Sequence, residues 1–282
     1  VSAAVFDAAA RTQALGGRRP TYIDGRLLLG LVAALALAAG VALSTGGADV
    51  LQAALSLLAF TLCVVAIGRR LTRAVGLNNA AVAAIGREAW SEAAPAFARI
   101  ATGNFPRGYA ALALYNLAFT SLQMGLLDDA VALSAAAVEL GPSLGGRGRA
   151  MLPLFVAFHA LVRAAKGEHE AARALLDEVR GAECAAQVEA SLALTGMYVD
   201  FKQGRHEAVL AAAREQRALL FDALTGFQAV LAEALESLAA QRVTGAYRAS
   251  ADGPLALPVG RAQCEVIATL LPEARPLLAP ED

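Results

Sequence analysis

Four pairs of an acidic residue followed by alanine recur along this chain, Glu92-Ala93, Asp129-Ala130, Glu170-Ala171 and Glu207-Ala208, at separations of 37, 41 and 37 residues. A period of that length means stacked helical hairpins, because one hairpin cannot bury its apolar face alone and a row of them can. Beyond Asn78-Asn79 the apolar residues fall at three- and four-residue spacing, the helical period, with few prolines to interrupt it. The spacing predicts an all-α repeat domain over residues 79–242. The stretch "PSLGGRGRAM" at 142–151 reads as a polar insertion between hairpins that lengthens the middle interval.

Ahead of the repeats the composition changes. The chain is 57% hydrophobic and 17% charged, too apolar for an ordinary soluble domain and too charged to lie wholly in a membrane. Residues 27–48 hold no charge, and at about 1.5 Å per residue they would span roughly 33 Å, enough for a hydrocarbon core of about 30 Å. Residues 50–68, "VLQAALSLLAFTLCVVAIG", form a second apolar run broken only by Gln52. The short "STGGAD" between them predicts a transmembrane helical hairpin over 27–68. Arg18, Arg19 and Arg26 precede it and Arg69, Arg70 and Arg73 follow it, which places both chain ends in the cytoplasm. "RRPTY" has the outline of a twin-Arg export signal, but the Ile-Asp-Gly-Arg after it lacks the hydrophobic continuation, so these arginines are read as membrane flanks. Residues 1–26 are expected to be a cytoplasmic segment with a short amphipathic helix, and 69–78 a basic juxtamembrane linker. Only Lys166 and Lys202 among 24 basic residues are lysines, and Ala, Gly, Leu and Arg dominate. That usage suits a GC-rich bacterial genome, so the membrane is expected to be a bacterial inner membrane.

The clearest hairpin, "ALALYNLAFTSLQMGLLDDAVALSAAAVELGP" at 111–142, resembles the tetratricopeptide repeat family. The matching residues are Leu117 and Ala118 in the first helix, Gly125 in the turn, and Ala130, Ala137, Leu140 and Pro142 in and after the second. Ala160 and Gly167 fit a following copy, and Gly204 with Ala208 a third in which Met197 takes the small position. The resemblance implies an α-solenoid whose first helices line a concave groove for a peptide or helix. Carried over position by position, that groove would be formed by Tyr115, Phe119, Leu122, Leu161, Tyr198, Phe201 and Lys202. The family members that clamp a terminal carboxylate do so with several basic and amide side chains, and this chain offers only Asn116 and Lys202 there. The other reading of the same aromatics is core between helices.

Two His-Glu dipeptides, His169-Glu170 and His206-Glu207, raise the question of a metal. A zincin sets two imidazoles at i and i+4 on one helix, whereas Arg173 and Leu210 stand where the second histidines would be. In the repeat register both dipeptides instead start second helices just after Gly167 and Gly204, where carboxylates oppose the helix dipole. His159, in the apolar "LPLFVAFHALV", reads as a packed or hydrogen-bonded helix residue. "GPSLGGRGRAM" lacks the Gly-Lys-Ser/Thr ending of a phosphate loop, and Asp128-Asp129 are accounted for by a helix start. Cys63, Cys184 and Cys264 lie far apart without paired spacing and read as small buried residues. No catalytic set, metal site or cofactor is expected. A net charge of -1 leaves no footprint for nucleic acid.

These readings combine into an all-α protein, with a transmembrane hairpin followed by a tetratricopeptide-like solenoid and, over 243–282, a loop, a capping helix and a tail. Its expected work is to bind a protein partner at the lipid bilayer, as an adaptor, assembly factor or accessory subunit. The alternatives are a permanent structural subunit of a membrane assembly, and a membrane-bound hydrolase or metalloenzyme using His159, His169 or His206.

Overall fold

In the computed structural model, residues 50–103, 107–141, 150–245 and 261–278 are described, together with isolated helical positions 33, 36 and 40. The N-terminal segment, most of the first apolar run, Arg18, Arg19 and Arg26, the insertion at 142–149, the 246–260 loop and the last four residues lie outside them. The described residues form α-helices and one 3-10 helix, with no strand among them.

Four hairpins follow one another. Helix α1 (Val50–Ile85) pairs with α2 (Trp90–Thr102), α3 (Arg107–Gln123) with α4 (Leu127–Leu140), α5 (Leu152–Ala165) with α6 (His169–Glu178), and α7 (Ala186–Lys202) with α8 (His206–Glu215). Adjacent hairpins also touch, α2 on α3, α4 on α5, and α5 and α6 on α7. This is the stacking that the 37-residue period requires.

The turns inside the hairpins are copies of one another. Gly125, Gly167 and Gly204 have φ of 73°, 87° and 76°, a left-handed conformation that costs a side-chain-bearing residue about 1–2 kcal/mol. The amide after each glycine donates back across the turn, Leu126 to the Ser121 carbonyl (2.8 Å), Glu168 to Arg163 (3.0 Å) and Arg205 to Asp200 (2.9 Å). This is the Schellman closure, which satisfies carbonyls the helix end would leave without partners. The first hairpin makes the same turn without glycine: Glu88 sits at φ 57° and Ala89 donates to the Ala84 carbonyl at 2.9 Å.

Aligned on the turns, the repeats space at 37, 42 and 37 residues from Glu88 through Gly204. The acidic-alanine alignment is therefore one residue out in the last two copies. Five residues beyond each turn stand Ala93, Ala130, Ala172 and Val209, all fully buried, whereas Ala171 and Ala208 are not buried. Seven residues before each turn stand Ala81, Ala118, Ala160 and Met197, buried as well. Both rows are part of the buried core, and in the first three hairpins both are alanine, whose small side chain lets packed backbones approach.

Two expected boundaries differ. Residues 69–78 are continuous helix within α1 rather than a linker, since nothing between Arg69 and Asn78 breaks the hydrogen-bond ladder. The regular repeat expected as far as residue 242 gives way at Leu224-Thr225-Gly226 to a break between α9 (Arg217–Ala223) and α10 (Phe227–Thr244), with Gly226 at φ 57°. Helix α11 (Arg261–Leu270) and the 3-10 helix (Pro272–Leu277) do not extend the stack at its end. They pack on α10, and α11 also reaches back to α3.

Among the described residues no helix is long and apolar enough to cross a membrane. The expected hairpin over 27–68 is thus not found among them: its first run lies almost wholly outside the described residues, and of the second run only the side chains from Ala59 onward are described. Those that are described stand bare. Every residue from Thr61 to Arg73 is exposed, including Arg69, Arg70 and Arg73, and burial begins only at Ala74.

Candidate functional site

The residues that the repeat register assigns to a groove lie on the first helices α3, α5 and α7, but most are interior. Leu122, Leu161, Tyr198 and Phe201 are buried, and Tyr115, Phe119 and Lys202 are half-buried. The open apolar groove is accordingly corrected to a filled one, because the chain's own C-terminal elements occupy that face. Phe119 meets Phe227 of α10 with ring centroids 5.7 Å apart. The Tyr198 hydroxyl donates to the Leu270 carbonyl at the end of α11 (2.5 Å), and Lys202 Nζ lies 3.3 Å from Glu273 in the 3-10 helix. Lys202 also stands 5.6 Å from the centroid of the Tyr198 ring, a cation–π distance.

An aromatic cluster built from the first helices α3 and α5 and from Trp90 at the start of α2 binds the hairpins together. Tyr115 contacts Phe155 and Phe158 at 5.3 and 5.4 Å, and Phe119 contacts Trp90 edge-on at 5.9 Å. Edge and offset contacts of this kind add about 0.5–1.5 kcal/mol each beyond area burial. Burial raises the Tyr115 phenol to about 12 and the Tyr198 phenol further, the latter aided by the Glu273 carboxylate. Both phenols stay protonated, and that of Tyr198 serves as a donor.

The two His-Glu dipeptides stand where the register puts them, with α6 beginning at His169 and α8 at His206, and Glu170 and Glu207 in the first turns. Trp90 and Leu127 occupy the same position in the other hairpins. Trp90 Nε1, His169 Nδ1 and His206 Nδ1 are all sealed from solvent without a hydrogen-bond partner, so these rings act as packing surfaces, His206 lying 5.1 Å from Phe201. Arg173, at the zincin position, is committed to Asp200. No group of three potential metal ligands occurs among the described residues.

Asp200 joins three elements. Arg173 of α6 and Arg205 of the last turn (2.6 Å) both pair with its carboxylate, and Gln203 donates to Glu170 across the same seam at 2.8 Å. The mostly buried Arg173–Asp200 pair therefore ties the third hairpin to the fourth. Nothing in the local sequence signals it, since the partners are 27 residues apart.

His159 has a partner that the sequence did not disclose, Ser134 of the preceding hairpin, with Oγ 2.8 Å from Nδ1. Ser134 Oγ also lies 3.0 Å from the Val131 carbonyl. A hydroxyl has one proton, so both contacts are satisfied together when Ser134 donates to Val131 and His159 Nδ1–H donates to Ser134. In that arrangement the imidazole supplies a proton to the oxygen instead of drawing one from it. Burial, with Arg163 nearby, lowers the imidazole to about 4, so it is neutral at ordinary pH.

No family model matches this sequence, and comparison with curated proteins and with solved structures yields no match.

Proposed function

We propose that this chain is a helical scaffold held at a membrane, an adaptor or accessory subunit that keeps a protein partner beside the bilayer. One observation carries the reading. On α1, Leu62 is 60% exposed, and Val64, Val65, Ile67 and Leu71 are exposed around the whole circumference of the helix. A helix apolar on all sides belongs in a protein interior or in lipid, not in water. The apolar run continues upstream into a second charge-free stretch at 27–48, and Arg69, Arg70 and Arg73 stand at its downstream edge as a cytoplasmic flank would. The hairpin stack, tetratricopeptide-like in its turn glycines and its small-residue rows, then forms the cytosolic brace.

The filled inner face favours a second reading over transient peptide capture, namely a permanent structural subunit. A groove already closed by Phe227, Leu270 and Glu273 leaves α1 and the outer helix faces for lasting contacts. Cys63 is an exposed cysteine on α1, while Cys184 is half-buried and Cys264 buried. With the latter two replaced by Ala, an environment-sensitive fluorophore on Cys63 of the full chain should shift to the blue in phosphatidylcholine vesicles and the protein should float with them. A chain that stays in the aqueous fraction with an unshifted spectrum would overturn the membrane reading. Gentle detergent extraction should recover stoichiometric partners for a permanent subunit and substoichiometric ones for an adaptor.

A further inference from the structure

Helix α1 carries Arg69, Arg70 and Arg73 and no carboxylate anywhere along its 36 residues. The scaffold reading uses these arginines only as a marker of topology. Their placement is that of a binding patch. At about 100° per residue they fall within one arc of about 100° on the helix, and at about 1.5 Å per residue they lie within about 6 Å of one another along its axis. All three are exposed, and among the described residues none of them has an ion-pair partner. Arg87, Lys166 and Arg180, by contrast, are met by Glu92 at 3.3 Å, Asp128 at 2.6 Å and Asp177 at 2.5 Å.

Arg69 and Arg73 stand four residues apart, and Arg70 and Arg73 three, spacings at which like charges on a helix repel. An anion among them removes that repulsion. The Thr72 hydroxyl in the same turn donates to the Gly68 carbonyl at 2.9 Å, so the guanidinium groups are the side-chain donors this turn presents. Position then decides which anion. Residues 50–68 make about 28 Å of apolar helix, close to a hydrocarbon core of about 30 Å, and the headgroup layer adds about 5–7 Å on each side. Arg69 to Arg73 match that layer in depth and in thickness. Burial against the hairpin stack begins only at Ala74, so the arginines stand between lipid and stack. An acidic protein segment would have to enter the headgroup layer to reach them, whereas phosphodiester groups are already there.

With the membrane reading as its premise, we propose that Arg69, Arg70 and Arg73 bind the phosphodiester of an anionic phospholipid, so that α1 gathers such lipid around it at the membrane surface. A zwitterionic headgroup carries its own ammonium beside the phosphate, and net charge selects the anionic class.

The test uses the full chain with Cys184 and Cys264 replaced by Ala and bimane on the exposed Cys63, which lies about 9 Å along the helix from Arg69. It is reconstituted in bilayers of phosphatidylcholine with about one-fifth phosphatidylglycerol, and quenching is measured with a trace of either lipid nitroxide-labelled on the same mid-chain carbon. Labelled phosphatidylglycerol should quench with about fivefold higher effective affinity, the preference that one arginine contributes at an anionic surface. The triple variant Arg69→Gln, Arg70→Gln, Arg73→Gln should bring the ratio to one, whereas Arg87→Gln, whose charge is already paired, should leave it unchanged. Salt at 1 M, where screening acts over about 3 Å, should lower the ratio in the unmodified chain. Equal quenching by the two lipids, a preference undiminished in the triple variant or in 1 M salt, or one lost equally in Arg87→Gln would each overturn the proposal. So would a preference lost when inorganic phosphate replaces chloride at equal ionic strength, which would assign the arginines to a free anion. If neither lipid quenches, the membrane reading itself fails, an outcome distinct from equal quenching by both.

Discussion

Replacing Glu88 by glycine should make this protein more stable. Glu88 holds the left-handed corner of the first hairpin at φ 57°, where Gly125, Gly167 and Gly204 hold the equivalent corners of the next three. For an L-residue that conformation costs about 1–2 kcal/mol, while glycine's greater freedom in the unfolded chain gives back about 0.5–1 kcal/mol. The difference favours Glu88→Gly by roughly 0.5–1 kcal/mol. Glu88 is exposed, so little packing is lost. The mirror experiment is Gly125→Ala, Gly167→Ala and Gly204→Ala. A Cβ at any of the three would meet nothing within 4 Å, so the penalty is the backbone's alone and should be alike at all three, again about 0.5–1 kcal/mol. For a domain of this size 1 kcal/mol moves the midpoint by roughly 2–4 °C, so circular-dichroism melts with urea titrations resolve it. A melting point unchanged or lowered in Glu88→Gly, or alanine variants that scatter widely, would refute the idea that one turn recurs four times.

Three further outcomes are expected. Folded His159 resists protonation until about pH 4 whereas an unfolded histidine takes its proton near 6.5, so stability should fall as pH drops through that window. At about 1.4 kcal/mol per pH unit the loss is at most about 3 kcal/mol, and the difference in urea midpoint between the unmodified chain and His159→Gln should change across pH 6.5 to 4 and level off above it. Tyr198→Phe removes the donor to the Leu270 carbonyl and should cost about 1–2 kcal/mol, with faster amide exchange in α11 as its signature and no acceleration in α3. Asp200→Ala leaves Arg173 mostly buried without its carboxylate and should cost about 1–2 kcal/mol, between an exposed and a fully buried pair, measured by urea unfolding.

What the sequence made legible was whatever has a local cause. Turn glycines at 125, 167 and 204 announce themselves because few other residues tolerate their φ, and the helix starts at His169 and His206 follow from them. Glu88 gives no such signal, since a strained glutamate looks like any surface glutamate until its backbone is seen. The register slip at Ala171 and Ala208 arose because adjacent small residues are interchangeable in a pattern; only burial separates Ala172 and Val209 from their neighbours. Arg69, Arg70 and Arg73 suggested a linker, yet arginine is a good helix former and α1 runs straight through them. The filling of the inner face was illegible for a different reason. Tyr198 and Leu270 are 72 residues apart, and no periodicity encodes a contact between a repeat and the segment that returns to it. Ser134 and His159, 25 residues apart, were hidden in the same way.

The return of α11 to α3 and α7 changes how the molecule comes apart. In an open row of hairpins each unit feels only its neighbours, and the ends fray independently of the middle. Here the tail is a clasp thrown across three hairpins, so loosening the fourth pulls on the second. Cutting the clasp should turn one shared melting event into a staggered series.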